Sequence, residues 1–175
     1  MTPLILRAGR GLAWLIEGSG KVIAVACLAF MFGALLVNVI LRYAFSSGIP
    51  WAYEIHAVLL PWLVAGGVVI AAANGANIAI TLLPGVLRPR GARALLGVVQ
   101  VAILVISLSV LLSSQPILRA SQFQTLSTLG IRQVWGYASL VYAFGGMALI
   151  AALDLLRVVL GGLTWDRDPA ANSLS

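Results

Sequence analysis

Four long apolar runs, separated by short polar segments, dominate the chain. They cover about 22–41, 51–73, 94–113 and 134–156. At about 1.5 Å per residue each predicts a helix of about 30–35 Å, enough to cross a hydrocarbon layer of about 30 Å. Helices are expected because an isolated span in lipid must satisfy its own backbone hydrogen bonds. Ahead of them, residues 3–18 alternate apolar and charged positions. Leu4, Ile5, Leu12, Leu15 and Ile16 line one side, with Arg7, Arg10 and Glu17 at its margins and Trp14 suited to the headgroup level. This predicts a short amphipathic helix lying in the membrane interface. The alternative is a frayed basic tail, since Gly9 and Gly11 weaken a helix. The fold class is all-α and integral to the membrane: one four-helix domain over 1–175, with a disordered tail at about 164–175.

Composition strengthens this picture. The 175 residues are 61% hydrophobic and 9% charged, with a mean hydropathy of +1.05. A soluble domain needs far more charge on its surface. Arg7, Arg10 and Lys21 before the first run resemble the charged region of a signal peptide. The run from 22 to 41 is longer than a typical signal core, so an uncleaved span is expected. Ala24-Val25-Ala26-Cys27 is only a faint match to a lipoprotein cleavage site. Cys27, the single cysteine, excludes a disulfide or a thiolate metal site within one chain.

The net charge of +6 points to membrane flanks rather than to nucleic acid. With the N-terminus inside, Arg7, Arg10, Lys21, Arg88, Arg90, Arg93, Arg157 and Arg167 fall on the inner side. Arg42, Arg119 and Arg132 fall outside. The positive-inside rule then places both termini in the cytoplasm. Arg88, Arg90 and Arg93, among the helix breakers Pro84, Gly85, Pro89 and Gly91, are expected at anionic lipid headgroups. The 114–133 connection is the longest polar stretch, and its apolar residues suggest that it rests on protein or on the interface.

Polar chemistry concentrates between residues 38 and 83. Arg42 stands where basic residues are scarce. Glu54 lies just after Pro50 and Trp51, in a first helical turn that suits an acid. The two are placed to pair across the outer hairpin, or for either to reach a partner subunit; the alternative is that both snorkel to headgroups. His56, the only His, has no second His, Cys or suitably spaced acid, which favours a structural hydrogen bond over proton or metal chemistry. Pro61 removes a backbone donor from the second helix and is expected to kink or loosen it. Gly66 and Gly67 offer a close-packing face. Asn74 and Asn77 flank Gly75 near the exit and suit capping or a bond to another subunit. In the later spans Gln100, Ser107 and Ser109 suit helix contacts, and Asp154 and Arg157 fall on one face as a local ion pair. No catalytic motif or phosphate loop is present. One His cannot supply two axial ligands to a haem, so no cofactor, metal site or enzymatic activity is expected.

Arg42-Tyr43, Phe45, Pro50-Trp51, Glu54, the pair Gly66-Gly67 and the run Asn74-Gly75-Ala76-Asn77-Ile78 together resemble the small, DctQ-type membrane subunit of tripartite ATP-independent periplasmic (TRAP) transporters. Where many members of that family carry His, this chain has Asn77, so no imidazole role carries over to that position. The resemblance implies a bacterial inner-membrane location and two partners. One is a large many-span subunit that carries substrate and sodium; the other is a periplasmic binding protein that delivers an organic acid. It implies a scaffold role, with Arg42, Trp51 and Glu54 shaping the outer hairpin and the glycines and Pro61 shaping packing. Two rivals stand beside it: a membrane anchor of a redox enzyme with His56 at a haem or quinone, and a small homodimeric exporter.

Overall fold

The computed structural model describes residues 2–75 and 89–159. The expectations for Asn77, Arg88 and the 164–175 tail lie outside them, as do those for the side chains of Arg90 and Arg93. Among the described residues, five helices follow in order: α1 (Thr2–Phe45), α2 (Trp51–Asn74), α3 (Pro89–Ser113), α4 (Gln115–Ser121) and α5 (Val134–Val159). Among the same residues, four stretches are long and apolar enough to cross a membrane: Gly11–Phe45, Trp51–Asn74, Ala94–Ser121 and Val134–Val159.

The starts at Trp51 and Val134 coincide with the sequence reading. The N-terminal boundary does not. A separate helix over 3–18 was expected before a span over 22–41, and one continuous helix of 44 residues runs through both. Gly9, Gly11, Gly18 and Gly20 weaken helix propensity by about 1 kcal/mol each but leave every backbone donor in place, unlike proline. The chain stays helical until Ser46, which adopts a left-handed φ of 52°. Ser47 N–H then closes the end by donating to Leu41 O at 3.3 Å. α2 ends on Gly75 at φ 61°, whose N–H donates to the carbonyls of Ala71 and Ala72.

α2 packs between α1 and α5, and α5 packs in turn against α3, with α1 and α3 at opposite edges. Val58 lies by Gly136 and Val69 by Gly146, so α2 and α5 run parallel. Gly20 meets Gly66 on α2, while Gly9 meets Leu153 and Arg157 on α5, so α1 runs antiparallel to both. The α1–α2 hairpin and the 122–133 loop thus share one end, and the beginning of α1 shares the other with the end of α5.

Backbone closeness sets the helix spacing. A Cβ on Gly66 would sit 2.7 Å from Gly20 O, and one on Gly20 would sit 2.9 Å from Gly66 O. At Gly146 a Cβ would lie 3.0 Å from Val69 Cγ2. Gly67 and Gly145, the other member of each pair, face open space. Lipid gives helices little hydrophobic reason to associate, so small residues at contact points are what van der Waals packing requires. Even so, no more than 22% of the most apolar stretch of any span is buried, and in α3 only 6%.

These contacts give a sharp expectation. Gly66→Leu should destabilise the purified protein by about 1–3 kcal/mol, the usual cost of overpacking. Gly67→Leu should leave its thermal midpoint in detergent nearly unchanged.

Candidate functional site

Two polar side chains, Asn38 and Glu54, anchor the hairpin end. Asn38, deep in the apolar run of α1, is 2% exposed. Its Oδ1 accepts the Ile49 N–H at 2.6 Å, which holds the 46–50 turn against α1. In α2, Glu54 reaches the distant loop. Oε1 accepts the Thr128 hydroxyl at 2.7 Å, and Oε2 accepts the backbone N–H groups of Thr128 at 2.8 Å and Leu129 at 3.1 Å. An ionised carboxylate is acceptor-only, and three donors on it make charge-assisted bonds.

The loop is built for this. Its two arms meet at an antiparallel bridge between Thr125 and Arg132, through Leu126 N–H to Ile131 O and Gln133 N–H to Gln124 O, both at 2.9 Å. The turn closes through Gly130 N–H to Leu126 O at 2.8 Å, with Gly130 at φ 64°. The backbone donors at its tip would otherwise lack partners, and Glu54 supplies them. Arg42 is exposed and is not among the partners of Glu54. Among the described residues, Arg42 and Glu54, which sequence reasoning placed to pair, form no ion pair with each other; the carboxylate bonds the loop.

His56 makes the structural bond expected of it. Its Nδ1 lies 2.7 Å from Ala52 O, and since a carbonyl only accepts, Nδ1 carries the proton. Nε2 is buried without a partner. Among the described residues, no three His, Cys, Asp or Glu side chains come together.

A second chain of contacts ties three helices. Trp62 Nε1 donates to Trp135 O at 2.8 Å. Its ring lies 5.7 Å from that of Tyr142. Tyr142 Oη is 2.6 Å from Ser19 Oγ, and Ser19 Oγ donates to Ile16 O at 2.7 Å. The Ser19 proton is thus used, so Tyr142 donates. Pro61 leaves the Ala57 carbonyl without its helical donor, and Gly136 packs there, where a Cβ would stand 3.3 Å from Ala57 O. α2 nonetheless continues through Pro61 to Asn74.

At the opposite end, Asn74 donates to Ile70 O at 3.0 Å and approaches Glu17 Oε1 at 3.4 Å, leaving the cap to Gly75. Glu17 also pairs with Lys21 at 2.7 Å. Asp154 and Arg157 form their expected pair at 3.0 Å, partly buried beside Gly9. Ser107 is fully buried and bonds Ile103 O at 2.7 Å. Trp51 is exposed.

Sequence reasoning missed Asn38 and Thr128 as anchors. A lone amide inside an apolar run, about two turns before a Ser-Ser-Gly-Ile-Pro hairpin, is a usable signal for the first. Nothing local marks Thr128. With a cysteine placed at Ser127, Glu54→Ala should speed its maleimide labelling markedly, and Arg42→Ala should not. Asn38→Leu should destabilise the protein by about 1–3 kcal/mol, the cost of leaving one part-buried N–H unpaired.

These anchors fall inside a recognisable region. A family model described as the DctQ component of tripartite ATP-independent periplasmic transporters matches residues 31–161. A Haemophilus influenzae protein named as a TRAP transporter small permease protein is 35% identical over 82 residues. That match covers 47% of this chain and 51% of that protein, so the chain spans about half the length of the relative it matches. With four membrane-length helices and a family match over most of its length, the chain belongs to the DctQ family, the small membrane component of TRAP transporters.

Proposed function

We propose that this chain is the small permease subunit of a TRAP transporter and that it serves as a fixed scaffold for a large, many-span membrane subunit. The observation that carries this reading is the sparse burial of its spans. A chain that buries so little of each helix, while pinning its own hairpin and loop, fits a wall against which a larger protein packs. Exposed Leu36, Val39, Val105 and Ile106 supply apolar contact area on two of the helices.

In this reading the assembly carries out sodium-coupled uptake of an organic acid delivered by a soluble periplasmic binding protein. The moving, solute-binding part belongs to the large subunit, and no residue of this chain binds solute or sodium or performs catalysis. The chain sits in the bacterial inner membrane with both termini in the cytoplasm, as its basic residues favour. The hairpin and the 114–133 segment then face the periplasm, where they contribute to docking the binding protein. Arg42 and Trp51 border that surface. Arg88, Arg90 and Arg93 meet anionic headgroups on the inner side.

Two outcomes test the proposal. A tagged chain should co-purify with a much larger permease encoded beside it, and solute uptake should require both. Transport by this chain alone in liposomes would overturn the scaffold role. A reporter fused after Ser175 should be active only in the cytoplasm; periplasmic activity would overturn the orientation.

A further inference from the structure

A groove of about 460 Å³ runs between α2 and α5, beside the approach of Gly136 to Ala57 O. On α2 it is lined by Ala57, Pro61, Val64 and Val68, and opposite them by Gln133, just before α5, and by Tyr137, Leu140 and Phe144 of α5. Both sets recur at steps of four, three and four residues, so each forms one stripe along its helix. The α2 stripe lies about half a helical turn from Gly66, on the side turned away from α1. Small residues, Ala65, Gly136 and Ala143, form its floor.

The dimensions of the groove restrict its occupant. Each stripe spans eleven residue steps, or about 16 Å at about 1.5 Å per residue. That is about half of a hydrocarbon core of about 30 Å, the depth of one leaflet. Beyond Val68, α2 and α5 close on each other where Val69 meets Gly146. A transmembrane helix of a partner would need a track through both leaflets; a lipid acyl chain needs only this length. At the hairpin end the groove is lined by Gln133, and the preceding Arg132 is exposed. Among the described residues, Arg132 has no carboxylate partner.

We propose that this groove is a site for a single phospholipid of the leaflet at the hairpin end. One acyl chain lies between α2 and α5, and its phosphate is held by Arg132. The apolar walls match the chain, and a guanidinium matches the phosphate by charge and by paired donors. The small residues on the floor, imposed in part by the approach of Gly136 to Ala57 O, create the space.

The test uses the full chain in nanodiscs containing a phosphatidylethanolamine with a diazirine at the end of one acyl chain. After illumination, labelled peptides should come mainly from 57–68 and 133–144. Val64→Trp and Leu140→Trp, which fill the groove from exposed or half-buried positions, should abolish that labelling with helicity unchanged. Arg132→Glu, outside the groove walls, should reduce it and leave labelling of α3 unaffected. Labelling no stronger in the groove than around Val105 of α3 would overturn the proposal. So would labelling insensitive to all three substitutions. A Val64→Cys variant that forms a disulfide with a co-purifying membrane protein, with no groove labelling in that complex, would assign the groove to a partner helix instead.

Discussion

Lipid withdraws the hydrophobic force that assembles soluble helices, and the rest of this structure follows from that withdrawal. Apolar side chains gain little by leaving hydrocarbon, so contact is made where backbones approach or polar groups find one another. Gly20 against Gly66, Gly136 against the Ala57 carbonyl and Gly146 against Val69 are the points of closest approach. The contacts at Gly66 and Gly146 are one-sided: the adjacent Gly67 and Gly145 face open space. The glycines therefore fix which faces meet, and thereby leave the opposite faces of the same helices free.

Polar side chains complete what packing begins. Asn38 and Glu54 each reach backbone N–H groups in a connection that lipid cannot satisfy. The hairpin end is thus held by two side chains, and Trp62, Tyr142 and Ser19 link α2, α5 and α1 further along. Rigidity at one end with sparse burial along the spans is a useful combination in a scaffold. It presents broad apolar faces in a defined arrangement without committing them to the chain's own core.

Much of this was legible in the sequence, and the limits have physical causes. Run length and turn residues place the spans, because a helix in lipid must be long and its breaks must carry Pro or Gly. The Asp154–Arg157 pair and the bond of His56 were legible because each lies within one helical turn. The continuity of α1 was not, since glycine lowers propensity without removing a donor, and tertiary contacts at Gly9 and Gly20 decide the outcome. The partner of Glu54 was not legible either. Thr128 is 74 residues away, and its backbone donors carry no side-chain signature. An acid near an arginine suggests a charge pair in sequence; in space the loop offered three donors at once.

The account stands or falls on whether the exposed faces are covered by a larger subunit. Single spin labels at Leu36, Val39, Val105 and Ile106, each exposed in the isolated chain, report contact with lipid through collisions with dissolved oxygen. Measured first alone and then with the neighbouring permease, a contiguous subset of these positions should lose oxygen accessibility. If all of them stay as accessible with the permease as without it, the chain is not the wall this account describes.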